Sequence, residues 1–303
     1  MTTWMRALIF CVLALAAAAQ LTAAEAPGSS LMSESKLPPK KTVRVFGQRI
    51  AYYDVGDGPV LVLLHGFASE ARFDWGDVIL PLAMSHRVIA LDEIGFGASS
   101  KPAIDYSIQT YVDFLGEFLR ILEITQFDLA GESFGGWTAA LYTIEALSPN
   151  NTGAFALPKP ERLVLEDAAG ISATPPMIIP VAGTIADARG IAIIFYDKSK
   201  VTDEFVRESF TMKLQANDGG TQRSLSSNPR LWGELVGGRL SAINIPTLVV
   251  WGGNDEIVPL DHGRVFAAGI AGAKLEIIPE CGHVPSLEKP EAFLSVVLPF
   301  LAK

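Results

Sequence analysis

The chain has 303 residues, 49% of them hydrophobic, and a formal net charge of −9. That length and apolarity allow a large core, in one domain with an insertion or in two. With no basic cluster beyond Lys40-Lys41, the acidic balance excludes a nucleic-acid binder, whose affinity comes from neutralising phosphates.

Arg6 opens the chain with a positive charge, and Ala7–Ala19 is an apolar run too short to span a bilayer comfortably. Small residues follow at Thr22, Ala23, Ala24 and Ala26. This pattern predicts a secretory signal peptide over residues 1–24, cut after Ala24 or Ala26, with an uncleaved N-terminal anchor as the alternative. The expected product is exported, periplasmic or extracellular, with no stable membrane span after cleavage. Residues 25–41 are polar and proline-bearing and read as a flexible lead. Of the two cysteines, Cys11 leaves with the signal, so Cys281 has no intramolecular disulfide partner. Asn150-Asn151-Thr152 fits a glycosylation sequon, relevant only to eukaryotic secretion.

Thr42–Phe46 and Arg49–Asp54 are β-rich runs around Gly47, an antiparallel entry hairpin. Val60–Leu64 is continuously apolar, as in a strand buried on both faces, and runs into His65-Gly66-Phe67. A helix is expected near Trp75–Met84, then a strand over Arg87–Leu91 ending in Asp92-Glu93-Ile94-Gly95. Ser107 caps an amphipathic helix whose apolar residues, from Ile108 to Leu122, fall on one face as core packing. A strand over Gln126–Ala130 leads into Gly131-Glu132-Ser133-Phe134-Gly135 and a helix to Leu147. Further strands are expected at Arg162–Leu165, Thr247–Trp251 and Lys274–Ile278, with a terminal helix from Pro290.

Strands alternating with helices imply a mostly parallel sheet flanked by helices, with ligands at the carboxyl ends of its strands. The alternation stops between Gly170 and about Asn244, a stretch too long for a plain connection. The expected division is a core of residues 42–170 and 245–303 and a helical cap over 171–244. Within the cap, Met177–Val181 and Ile191–Tyr196 are apolar, Thr202–Asn217 is expected to be helical, and Pro229–Leu240 is a second candidate.

Gly-x-Ser-x-Gly between a strand and a helix is a sharp turn that presents a serine hydroxyl above a helix N-terminus. Ser133 is the expected nucleophile, and it needs a base. Among the four histidines, His65 is held in a tight turn, while His86 and His262 read as surface residues. His283, in a loop after the last strand, is the expected base. Asp255, just past a strand end, is the expected acid partner, with Glu256 and Asp167 as alternatives. The backbone N–H groups of Phe134 and Phe67 are the expected oxyanion donors. Glu132 is an unusual charge beside a nucleophile, either facing solvent or modulating the site.

His65-Gly66-Phe67, Asp92 through Ser99, Gly131 through Gly136, Trp251-Gly252 with Asp255 and Pro259, and Cys281-Gly282-His283 with Pro285, Glu288 and Pro290 together resemble the α/β-hydrolase fold superfamily in its cap-bearing branch. The resemblance covers the chain from about residue 42 to its end. It implies an α/β-hydrolase fold and the order Ser133, Asp255, His283. Family members that hydrolyse epoxides or haloalkanes carry aspartate at the nucleophile position, so Ser133 argues against both. The expectation is an exported carboxylesterase or lipase-like enzyme working through an acyl-enzyme on a small, apolar ester, with no cofactor and no metal. The alternatives are a carbon–carbon bond hydrolase using the same residues and a non-catalytic binding protein on this fold.

Overall fold

The computed structural model describes residues 36–172 and 181–302. The expected signal segment, most of the lead, Cys11 and Met177–Pro180 lie outside the described residues.

β1 (Lys41–Val45) and β2 (Gln48–Val55) form the expected hairpin around Phe46 and Gly47, both at positive φ. β3 (Val60–Leu64), β4 (Arg87–Leu91), β5 (Asp128–Glu132), β6 (Leu163–Glu166), β7 (Thr247–Gly252) and β8 (Lys274–Ile278) follow. They make one eight-stranded sheet in the order β1-β2-β4-β3-β5-β6-β7-β8. Only the β1–β2 and β2–β4 pairs are antiparallel. The helices are α1 (Ala71–Leu82), α2 (Ile108–Ile121), α3 (Ser133–Ala146), α4 (Ile185–Ala188), α5 (Asp203–Ala216), α6 (Gly219–Ser227), α7 (Leu260–Gly269), α8 (Pro285–Glu288) and α9 (Pro290–Leu301).

Continuous apolar strands are buried on both faces because each face meets its own helices. Val62, Leu64, Ile89, Leu91, Leu129 and Leu165 point to one side, where the apolar faces of α2 and α3 pack. Leu61, Leu63, Val88, Ala90 and Val164 point to the other, against Trp75 and Val78 of α1 and Phe293 and Val297 of α9. The period of two therefore sorts each strand into two cores, and each fully buried aliphatic side chain contributes about 1.5–3 kcal/mol. α2 starts where Ser107 N–H donates to Thr110 Oγ1 at 3.1 Å, one half of a capping box. α3 lies flush on the sheet because Ala139, Ala140 and Ala146 are fully buried and small.

The chain runs from β3 out to β4 and then returns to place β5 on the opposite side of β3. A crevice opens beyond the carboxyl ends of the strands at such a reversal. The loop carrying Phe67 leaves β3 there, and Ser133 leaves β5.

Between β6 and β7 the described residues leave the sheet for α4, α5, α6 and four short 3-10 turns, at 189–194, 198–200, 229–233 and 237–242. The stretch read as a candidate helix over Pro229–Leu240 is thus two separate turns. Glu234 joins them to the sheet side. Its carboxylate accepts from Ile108 N–H at 2.7 Å and its carbonyl from Trp137 Nε1–H at 2.9 Å. Lys213 of α5 reaches the Ala68 carbonyl in the loop after β3 and pairs with Asp218 at 2.6 Å. No helix among the described residues is long and apolar enough to cross a membrane.

Two expectations are corrected. The lead is not free up to residue 41: Lys40 Nζ lies 2.6 Å from the fully buried Asp92 carboxylate, and β1 already begins at Lys41. His86 is buried at 4% exposure, because the turn before β4 folds against the Gly56–Pro59 turn, with Arg87 N–H donating to Pro59 O at 2.9 Å.

Candidate active site

β5 extends two residues further than its apolar run suggests, through Gly131 and Glu132, and α3 begins at Ser133 itself. The reversal forces Ser133 to φ +50°, a left-handed conformation that a side-chain-bearing residue adopts only when its surroundings impose it. The glycines make the approach possible. A Cβ on Gly131 would lie 2.2 Å from the Gly135 carbonyl, and one on Gly135 would lie 2.4 Å from the Leu64 carbonyl. The helix start is thereby pressed against the end of β3.

Ser133 Oγ sits 2.9 Å from His283 Nε2, and His283 Nδ1 sits 2.7 Å from Asp255 Oδ2. Asp255 is held by its other oxygen, which accepts the N–H groups of Ile257 at 2.7 Å and Val258 at 3.0 Å. With Nδ1–H committed to that carboxylate, the Nε2 lone pair faces the serine hydroxyl. His283 is fixed from the backbone as well, its N–H donating to Ile194 O at 2.7 Å. Glu288 binds this loop to the insertion, accepting from Gly282 N–H at 2.7 Å and from Tyr196 and Asp197 N–H at 3.0 and 2.8 Å. The geometry therefore brings Ser133, His283 and Asp255 into one hydrogen-bonded chain, an arrangement that activates a hydroxyl for addition to a carbonyl.

The other histidines lack this setting. His65 Nε2 accepts Glu93 N–H at 3.0 Å, so its Nδ1–H donates to Gly66 O at 2.8 Å, and burial lowers its pKa; it is neutral and fully occupied. His86 Nδ1 meets Ser85 Oγ at 2.8 Å, and His262 Nε2 approaches Ser172 Oγ at 3.4 Å.

Of the alternative acids, Glu256 is exposed and paired with Lys198 at 3.1 Å. Asp167 is not an alternative but a neighbour. It is fully buried at φ +41°, accepts Gly252 N–H at 2.9 Å, and shares a hydrogen bond with Asp255. Burial first, and then the Asp255 charge, push its carboxyl pKa well up, so Asp167 is the protonated donor of the pair. Asp167, Asp255 and His283 bring one ligand atom each within 4.8 Å of one another. Because the Asp255 oxygens and both imidazole nitrogens already have hydrogen-bond partners, this cluster fits proton sharing better than a cation.

Phe134 follows Ser133 in the first turn of α3, where helix N–H groups lack intrahelical acceptors, and Phe67 follows Gly66 at the end of β3. Their rings lie 6.0 Å apart and, with Phe96 and Tyr111, form an aromatic wall; the Tyr111 and Phe134 rings meet edge to face at 4.8 Å.

Sequence reasoning left Glu132 open and missed Asp74 and Glu166. All three are buried beside the serine–histidine pair. Glu132 and Glu166 are direct neighbours in the β5–β6 register. Asp74, on the buried face of α1, accepts Gly66 N–H at 2.7 Å and the Ser69 hydroxyl at 2.6 Å. Burial pushes the Glu166 pKa up to about 8 and the Glu132 pKa well above its ordinary value. The signal for Asp74 was an acidic residue among Phe73, Trp75 and Val78 on an apolar helix; nothing in the sequence alone tells which strand end it reaches.

The model of the alpha/beta hydrolase fold matches residues 59–290, and the chain belongs to that family. It is 34% identical over 278 residues to the 2-hydroxymuconate semialdehyde hydrolase of Pseudomonas sp. strain CF600, covering 85% of this chain and 92% of that one. It is 32% identical over 277 residues to the 2-hydroxy-6-oxononadienedioate/2-hydroxy-6-oxononatrienedioate hydrolase of Escherichia coli K12, covering 84% and 91%. Among solved structures, the meta-cleavage product hydrolase CumD of Pseudomonas fluorescens IP01 superposes with a TM-score of 0.75 at 28% identity, covering 86% of this chain and 97% of that one. The chain is an α/β hydrolase, and the three proteins named above are hydrolases as well.

Proposed function

We propose that this protein is a serine hydrolase that cleaves a carbon–carbon bond next to the 6-oxo carbonyl of a 2-hydroxy-6-oxo-dienoic acid. The observation carrying this reading is the likeness, along most of the chain, to hydrolases of such compounds. A 2-hydroxy-6-oxo-dienoate has no ester or amide, so its hydrolysis falls on the C–C bond beside the 6-oxo carbonyl. In its 2-keto form the C6 carbonyl carbon accepts Ser133 Oγ while the serine proton passes to His283 Nε2. The oxyanion is held by the N–H groups of Phe67 and Phe134. The C–C bond then breaks, its electron pair passing into the conjugated enolate, which takes the proton from His283. The same imidazole activates water to release the acid from Ser133. The products are one carboxylic acid and one 2-hydroxydiene acid, with one water consumed and no cofactor required. Residues 171–244 act as a cap over this site, and the N-terminal segment directs export. N-terminal sequencing of the exported product checks the latter: a start after Ala24 or Ala26 is expected.

Ester hydrolysis is the second reading, favoured by charge. The ionisable groups around Ser133 and His283 are mainly acidic, namely Asp74, Glu132, Glu166, Asp167 and Asp255. Protonation of Glu132, Glu166 and Asp167 removes three of these charges, but none of the five acids offers a carboxylate-bearing substrate a cation, which a neutral ester does not require. The deciding experiment compares loss of the dienol chromophore of a 2-hydroxy-6-oxo-dienoate with hydrolysis of p-nitrophenyl esters of rising chain length, for wild type and Ser133→Ala. We expect the dienoate to be the better substrate by kcat/KM and the variant to lose roughly 10⁴- to 10⁶-fold. Ester activity without dienoate cleavage transfers the assignment to the second reading. A variant equal to wild type on both overturns the serine mechanism.

A further inference from the structure

We propose that Glu132 is a positioning residue for His283: its Oε1 receives the Nε2–H that the imidazole carries only after Ser133 has given up its proton. This rests on the serine-hydrolase reading above.

Glu132 Oε1 is buried, has no hydrogen-bond partner among the described residues, and lies 3.4 Å from His283 Nε2. That nitrogen already faces Ser133 Oγ at 2.9 Å. While the imidazole is neutral, with its hydrogen on Nδ1 toward Asp255, Nε2 has only a lone pair to show, and Oε1 goes unsatisfied. Once the serine proton arrives, Nε2–H has an acceptor already in place. An unpaired buried acceptor is costly, and here the cost is relieved only in the protonated state of the base, which is the state that accompanies the oxyanion.

The other oxygen explains how Glu132 can do this without carrying charge. Glu132 Oε2 packs where a Cβ on Gly66 would lie, only 2.0 Å from it, so glycine at 66 is what admits the side chain. There it meets Asp74, both of whose oxygens already accept hydrogen bonds from Gly66 N–H and the Ser69 hydroxyl. Asp74 is thus an acceptor, and Glu132 is its donor through a carboxyl proton. Burial, then the charges of Asp74, Glu166 and Asp255, favour that protonated form. The groups facing Glu132 are Asp74 from α1, Glu166 at the end of β6, Asp255 beyond β7 and His283 beyond β8. A protonated glutamate presents a donor and a carbonyl acceptor, and glutamine can offer an amide N–H and a carbonyl to the same two partners. An ionised Glu132 would instead hold a proton on Nε2 and disable the base.

The test reads the reactivity of Ser133 directly. Labelling by a fluorophosphonate is followed between about pH 5 and pH 10 for wild type, Glu132→Gln and Glu132→Leu, with Ser133→Ala as the blank. Glu132→Leu is expected to label at least about tenfold more slowly at pH 7. Glu132→Gln is expected to recover the rate to within about threefold of wild type, and its labelling persists at the alkaline end where that of wild type falls. The proposal is overturned if the leucine variant keeps the wild-type rate and profile, if the glutamine variant is as slow as the leucine variant, or if the alkaline limbs of wild type and Glu132→Gln coincide. Should Glu132→Leu fail to fold, the last comparison alone decides. Wild type that labels no faster than Ser133→Ala sinks the serine-hydrolase reading itself, a result distinct from labelled enzymes with matching pH profiles.

Discussion

Asp255 and Asp167 show how one residue's protonation state depends on another's. Asp255 accepts the Nδ1–H of His283, and Asp167 sits beside it as a neutral donor. Asp255→Asn replaces the acceptor with an amide and is expected to lower kcat about 10³- to 10⁴-fold. Asp167→Asn keeps a donor toward Asp255 and an acceptor for Gly252 N–H, so its kcat should fall less than about tenfold. Steady-state kinetics of the two variants side by side checks the assignment, and equal losses would refute it. Glu166 carries a stability prediction. Its carboxyl pKa, about 8 in the fold against an ordinary 4.5, means that the native state keeps a proton the unfolded chain releases. The stability from this group is complete below pH 4.5 and is lost as pH rises toward 8, by on the order of a few kcal/mol. Urea unfolding at both ends of that window should show a shallower pH dependence for Glu166→Gln than for wild type. These acids were not readable as a cluster in the sequence, where they are scattered from position 74 to position 255. Ser133, His283 and Asp255 were readable, because each follows a recognisable strand end. His86 was misread because its burial comes from a turn elsewhere in the chain.

At the scale of elements, the strand–serine–helix junction is the part most tightly determined. Gly135→Ala places a Cβ 2.4 Å from the Leu64 carbonyl and 2.6 Å from the His65 carbonyl, both backbone atoms that cannot step aside cheaply. Its unfolding free energy should fall by about 3 kcal/mol or more. Gly190→Ala, where a Cβ meets nothing within 4 Å, is the control and should change stability by less than about 0.5 kcal/mol. The strands and the long helices were legible because their periodicities of 2 and 3.6 are local and strong. The 3-10 turns after β6 were not, since a few residues of apolar sequence fit a turn or a helix equally well.

For the whole molecule, the insertion and the sheet meet at Lys213. Its ammonium joins α5 to the loop after β3 through Ala68 O and Asp218, and burial lowers its pKa. Lys213→Met removes both contacts while keeping the stem. If residues 171–244 cap the site as proposed, it is expected to raise KM more than it lowers kcat, by about tenfold. An unchanged KM would show that this contact does not govern substrate entry. The sequence by itself determined the alternation of strands and helices, the strand–serine–helix turn and the strand ends that carry Ser133, Asp255 and His283, because these are short-range patterns imposed by backbone sterics and period. Only the tertiary structure decided that Glu132, Asp74, Glu166 and Asp167 share one buried site. Their proximity comes from strand register and from α1 packing on the sheet, and their protonation comes from the water that this packing excludes.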